Sequence, residues 1–318
     1  GAFGTALAAV AARAGRPVLL YGRDAGVIDE IRRHRTHSRA LPGLTLPDGI
    51  AATDDLAQAA SAAVLILAVP TQALRAAATS LAPHVARGVP VIAAAKGIEL
   101  ATGRFVTDIL GEVLADAESA ILSGPSFAAD IVSGLPTAVT LAAHDGRRAE
   151  QLAAAVSGPA FRIYHSDDVI GVAVGGAAKN VLAIAAGIVI GAGLGESARA
   201  ALIARGFAEL GRLATALGAR RETLMGLSGL GDLVLTAASP QSRNFSFGLR
   251  LGEGRPPAEL LAGGKLAEGA ATAPALASLA RRHGVEMPIS EAVAAVLDGR
   301  LSVAAAIQAL LARPSRGE

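Results

Sequence analysis

Three of the 29 basic residues are lysine, at Lys96, Lys179 and Lys265, and arginine supplies the other 26. A guanidinium stays protonated inside proteins, whereas a buried ammonium can release and recover a proton. Lysines kept in so arginine-biased a chain therefore mark positions where a proton must move or a compact cation is needed. Lys96 and Lys179 lie in two of the most apolar stretches, while Lys265 reads as an ordinary surface lysine. Between Asp168 and Gly195 the sequence is apolar except for Lys179 and Asn180 in its middle. A bilayer-spanning helix takes about 20 apolar residues, but an ammonium at the bilayer centre costs several kcal/mol. The chain has no second such stretch and no signal-peptide pattern, so no membrane insertion is expected. The expected element is a core helix covered by protein on all sides, with one charged group held inside it. Apolar surroundings push such a lysine toward the working range of a general base.

Bulk composition narrows the setting in which that chemistry runs. A chain of 318 residues can bury a large core and is expected to form two domains. The formal charge of +2 is near balance and no Lys/Arg run interleaves with aromatics, which argues against a nucleic-acid partner. Cysteine is absent, as a reducing cytosol permits, and a cytoplasmic location is expected. The six histidines show no ligand spacing, so no metal site is expected and they read as surface or packing residues.

The elements that must position the lysines change character near Asp168. Before it, Val/Ile/Leu-rich runs at 18–21, 50–53, 62–69, 89–95, 120–123, 137–141 and 161–165 alternate with helical patterns. That alternation predicts an α/β domain over 1–167 with a Rossmann-type, mainly parallel sheet. After Asp168 only Ala/Leu-rich helical stretches follow, broken at 226–233 and 252–257, which predicts an all-helical domain over 168–318. A crevice between two such domains commonly holds a small molecule.

Gly1, Ala2, Phe3 and Gly4, followed by Thr5-Ala6-Leu7-Ala8, look like the last two glycines of a GxGxxG turn opening a helix. Such a turn lets the backbone approach a dinucleotide pyrophosphate and aims helix N–H groups at it. The strand that would lead into the turn, central in such a sheet, is missing from this numbering, so the full-length chain is expected to extend upstream of Gly1 and a protein lacking the strand to bind the dinucleotide poorly or fold badly. About 20 residues on, where an acid would select NAD and an arginine NADP, stands Arg23 followed by Asp24, which leans toward NADP and leaves NAD open. Two further runs end in Ala68-Val69-Pro70-Thr71 and Ala94-Ala95-Lys96-Gly97, at the ligand-binding carboxyl edge of a parallel sheet. A third runs into Ser123-Gly124-Pro125-Ser126-Phe127-Ala128, a turn suited to opening a helix against a ligand. Near 240, Ser239 as N-cap and Pro240 in the first turn predict a helix start whose free N–H groups, with Ser242, Arg243 and Asn244, make an anion pocket.

Taken in order, GAFGTALA, AVP, AAKG, GPSFA, GAAKN (176–180), GLGDL (229–233) and SRN (242–244) resemble the bacterial NAD(P)-dependent glycerol-3-phosphate dehydrogenase family over essentially the whole chain. The resemblance implies a small-molecule phosphate substrate, an NADP or NAD cofactor, and supply of glycerol 3-phosphate for phospholipid synthesis. It implies Lys179 as the general base, with Lys96, Gly124, Ser126, Lys179, Asp232, Ser242, Arg243 and Asn244 on the substrate. It also implies Gly1, Ala2, Phe3, Gly4, Arg23, Lys96, Ala128, Arg243, Leu266 and Glu268 on the cofactor. Ala2 and Ala40 depart from the family's usual small polar residue and tyrosine. A homodimer is common for such folds. Two rivals share parts of the pattern: a hydroxyacid or ketopantoate type of dehydrogenase, against which SRN argues, and a non-catalytic NADP-binding regulator, which would need no buried base.

Overall fold

The structure, a computed structural model, describes residues 1–262 and 267–314. Its first part alternates α1 (Ala2–Arg13), β1 (Val18–Tyr21), α2 (Ala25–His34), β2 (Ile50–Thr53), α3 (Leu56–Ala60), β3 (Leu65–Leu67), α4 (Thr71–Leu81), β4 (Pro90–Ala93), α5 (Val106–Val113), β5 (Glu118–Ser123), α6 (Ala128–Val132), β6 (Thr137–Ala143), α7 (Gly146–Val156) and β7 (Phe161–Ser166). Strands β1 and β2 pair in parallel. A second sheet runs β3-β4-β5-β6-β7, parallel except for the antiparallel pair β5–β6. The sheet is mainly parallel, as the apolar runs predict. Every residue of β4 is buried, because helices cover a parallel sheet on both faces and leave no polar side to alternate with. Aspartates set the start of several helices: Asp24, Asp55 and Asp145 each accept a hydrogen bond from first-turn N–H groups of α2, α3 and α7.

Beyond β7 the described residues form helices only: α8 (Val169–Gly191), α9 (Gly195–Ala216), α10 (Arg221–Met225), α11 (Asp232–Ala238), α12 (Arg243–Gly252), α13 (Pro257–Ala262), α14 (Glu268–Arg282), α15 (Pro288–Leu297) and α16 (Val303–Leu311). Two compact units result, one of Gly1–Lys96 with Phe105–Ala173, the other of Gly97–Arg104 with the chain from Val174 onward. Helix α8 is long and apolar enough to cross a membrane, but 89% of its most apolar stretch is buried inside the protein, so it is a core helix.

Within the second unit α8 and α12 cross at unusually close range. A Cβ added at Gly187 or Gly191 would run into the carbonyl oxygen of Phe245 or Leu249, and one added at Gly248 or Gly252 into that of Ile184 or Ile188. Two glycines four residues apart on each helix therefore bring the backbones together with no side chain between them. This contact fixes the start of α12 relative to the middle of α8, where Lys179 and Asn180 lie.

Candidate active site

In the first unit the residues of interest gather at the carboxyl ends of the parallel strands. Lys96, just past β4, donates from Nζ to the carbonyl oxygen of Gly124 at 2.8 Å and lies 5.7 Å from the centre of the Phe3 ring. Ser126 donates from Oγ to the same carbonyl at 2.8 Å. The backbone of β6 passes so close to Gly124 that an added Cβ would stand 2.8 Å from Val139 Cα, which demands glycine at this turn. Lys96, Phe3, Gly124 and Ser126 are thus brought together, and Ala128 follows as the first residue of α6.

The start of α1 is open. No side chain caps the helix, so its first N–H groups are unclaimed within the helix. An added Cβ at Gly4 would stand 3.2 Å from Ala68 Cβ, so this glycine lets α1 lie close to the loop after β3. Arg23 is exposed at the end of β1. Its neighbour Asp24 caps α2 through the Val27 N–H at 3.2 Å and pairs with Arg39 at 3.3 Å. His37, read from sequence as surface or packing, is 4% exposed and lies 3.0 Å from Thr5 Oγ1 of α1. Burial chiefly holds its imidazole below the ordinary range, so it packs as the neutral ring.

In the second unit Lys179 is 6% exposed and donates from Nζ to Asp232 Oδ1 at 2.6 Å and to Thr236 Oγ1 at 2.8 Å. Thr236 in turn donates to Asp232 Oδ1 at 3.2 Å, closing a three-membered ring of hydrogen bonds. Asp232 is 1% exposed, so the lysine that the sequence places alone among apolar residues has a buried counter-ion. Sequence reading missed Thr236. The available signal was its spacing of four from Asp232, which puts both on one face of α11.

The segment around SRN departs from its expected form. Helix α12 starts at Arg243, not after Ser239, and its N-cap is Ser242, whose Oγ accepts from Phe245 N–H at 3.2 Å. Ser239 makes only a local turn, accepting from Gln241 N–H at 3.2 Å, so Pro240 precedes the helix instead of opening it. Asn244 is 8% exposed and binds inward, donating to Asn180 Oδ1 and accepting from Gly269 N–H, both at 2.9 Å. It therefore ties α8, α12 and the start of α14 together, with Glu268 as the first residue of α14. The role of Asn180 in this bridge went unread in the sequence. Arg243 alone of the three faces outward, into a cavity of about 500 Å³. Lys265 and Leu266 lie outside the described residues.

Comparison with known proteins matches both parts of the chain. Residues 1–149 match the family model for the N-terminus of NAD-dependent glycerol-3-phosphate dehydrogenase, and residues 168–308 match that for its C-terminus. A glycerol-3-phosphate dehydrogenase [NAD(P)+] of Azorhizobium caulinodans is 58% identical over 318 residues, covering 100% of this chain and 96% of that protein. Its counterpart in Methylobacterium radiotolerans is 59% identical over 319 residues with the same coverage. The crystal structure of glycerol-3-phosphate dehydrogenase from Coxiella burnetii superposes with a TM-score of 0.92 at 38% identity, covering 98% of this chain and 97% of that one.

Proposed function

The chain belongs to the NAD-dependent glycerol-3-phosphate dehydrogenase family, and from that premise we propose that it interconverts sn-glycerol 3-phosphate and dihydroxyacetone phosphate with Lys179 as general base. The observation that carries the reading is the buried Lys179–Asp232–Thr236 ring. An ammonium withdrawn from water and held by two oxygens is oriented to exchange one proton with a ligand hydroxyl. In the oxidative direction the neutral amine of Lys179 takes the C2 hydroxyl proton and becomes the ammonium, and in the reductive direction the ammonium gives that proton to the forming alkoxide. When bound, the nicotinamide dinucleotide accepts or supplies the hydride at C2. Asp232 and Thr236 keep the lysine in place, and their hydrogen bonds compensate the charge that burial penalises.

Other roles follow residue by residue. Lys96, with Gly124 and Ser126 beside it, donates to the substrate's oxygens. Arg243 grips the phosphate with its fork, while Ser242 as N-cap and Asn244 through Asn180 and Gly269 fix the helix start that presents it. The pyrophosphate of NADP or NAD rests on Gly1, Ala2, Phe3 and Gly4, and Arg23 takes the 2′-phosphate when NADP binds. Lys96, Ala128, Arg243, Leu266 and Glu268 complete the cofactor contacts. On this reading residues 1–167 handle the dinucleotide and 168–318 the substrate. The enzyme works in the cytoplasm as a homodimer and supplies glycerol 3-phosphate for phospholipid synthesis. Oxidation of NADPH followed at its absorbance band, with dihydroxyacetone phosphate against 2-hydroxyacid-derived keto acids and ketopantoate, tests it. The phosphate should turn over and the others should not, and Lys179→Ala should be inert. No turnover of the phosphate, or full turnover by the variant, overturns the assignment.

A further inference from the structure

Between α10 and α11 the chain makes a single π-helical turn, Leu227–Gly231. Its hydrogen bonds span five residues: Gly231 N–H donates to the Gly226 carbonyl at 3.1 Å, and Asp232 N–H donates to that of Leu227. Such turns are rare and hold one residue more than an α-turn. Wound as α-helix, the same residues would carry α11 further around its axis by one residue's step, about 100°. Asp232 and Thr236 would then turn away from Lys179. The π-turn therefore sets which face α11 presents to α8.

Two glycines make room for this turn. A Cβ added at Gly229 would run into the carbonyl oxygen of Leu224 in α10. One added at Gly175 of α8 would stand 2.8 Å from the Ser228 carbonyl oxygen and 3.0 Å from Gly229 Cα. Backbone thus lies directly on backbone, and no flexible side chain is there to yield. The Ser228 hydroxyl is 1% exposed and has no hydrogen-bond partner among the described residues, so no bond from that side chain anchors the turn. Gly175 precedes Lys179 by four residues and shares its face of α8. One turn further along that face, Lys179 Nζ meets Asp232 and Thr236.

We infer that Gly175 is a positioning residue for the proton-transfer step: its missing side chain seats the π-turn on α8 at the depth that brings Asp232 and Thr236 onto Lys179 Nζ. The inference rests on the reading of Lys179 as the base. Gly175 acts only through the turn, and because Asp232 directly follows that turn, any displacement of it passes to the carboxylate.

The chain has three lysines, so a full-length protein isotopically labelled at lysine gives three side-chain signals, and Lys179→Arg assigns one by removing it. With that signal followed against pH, Gly175→Ala should lower the Lys179 titration midpoint by about one pH unit, since the ammonium loses part of its contact with the Asp232 carboxylate. In glycerol 3-phosphate oxidation kcat should fall about tenfold with KM unchanged, and the acid limb of the pH profile should move to lower pH with the midpoint. Ser228→Ala removes the unpartnered hydroxyl, keeps the backbone, and should match wild type in both measurements. The lysine titration needs no turnover, so a shifted midpoint without activity in any form would sink the catalytic reading and keep the positional one. A folded Gly175→Ala protein that is equally less active at every pH, with Lys179 titrating as in wild type, would show only a loosened fold and overturn the inference. So would a Ser228→Ala protein that reproduces the shift, or a Gly175→Ala chain that does not fold.

Discussion

Replacing Lys179 by arginine separates charge from proton transfer. Lys179→Ala strands the buried Asp232 carboxylate, and removing one partner of a buried pair destabilises by about 3–5 kcal/mol, so its inactivity mixes folding with chemistry. Lys179→Arg keeps the positive charge beside Asp232 but offers a group that does not give up its proton. Turnover should fall by at least about 100-fold, the usual contribution of a general base, while NADPH binding measured by fluorescence stays near wild type. Retained turnover in this variant would exclude Lys179 as the base. Thr236→Val asks a finer question, because it removes a hydroxyl that accepts from Lys179 and donates to Asp232 while keeping a similar volume. Loss of one hydrogen bond to a charged group should lower kcat about tenfold. An unchanged KM would separate loss of alignment from loss of substrate binding. Residue type and apolar setting single out Lys179 in the sequence, and only the family resemblance points to Asp232. The sequence did not announce Thr236 or Asn180, because a threonine or asparagine gains meaning only when another helix brings it a partner.

At the scale of elements, Glu209 does for α15 what α15 cannot do for itself. Met287 offers no side-chain cap, and Glu209 of α9 accepts instead from Ile289 N–H at 2.8 Å and Ser290 N–H at 3.4 Å. The carboxyl is 3% exposed, and burial pushes its pKa up to about 7, against the pull of the two N–H groups and Arg212. With the folded value above the ordinary 4.5, the folded state holds the proton over a window where the unfolded chain has lost it. The contribution to stability is therefore full below about pH 4.5 and lost as pH rises through about 7. Glu209→Gln, which cannot ionise, should be no more stable than wild type at pH 5 and should overtake it at pH 8 in chemical denaturation. A stability difference independent of pH would show that Glu209 does not titrate there. Nothing in the sequence singles Glu209 out, since it sits in an ordinary amphipathic helix. The strands were more legible: runs such as Pro90–Ala93 are apolar throughout because both faces are covered, and only their ends drifted, as when 62–69 shortened to Leu65–Leu67. The start of α12 was misjudged by three residues because two serines could each cap it, and only the backbone shows that Ser242 does.

For the molecule as a whole, the proposed reading divides the work between the two units in a way that mutations can separate. Arg23 lies in the first unit, exposed and with no hydrogen-bond or ion-pair partner among the described residues. The acid beside it, which could have selected NAD by binding a ribose hydroxyl, is already engaged with the α2 cap and with Arg39. On the proposed reading, this guanidinium next to a committed carboxylate is the group that would meet the 2′-phosphate of NADP. Arg23→Ala should therefore raise KM for NADPH about tenfold, the loss of one charge-assisted contact, and leave KM for NADH within about twofold. It should leave kcat at saturating NADPH unchanged, since the residues proposed to handle the proton belong to the other unit. Lys179→Arg should show the converse, with cofactor affinity kept and kcat lost. If Arg23→Ala weakened both dinucleotides equally, Arg23 would be holding the fold of the β1–α2 turn and the 2′-phosphate would have to be read elsewhere.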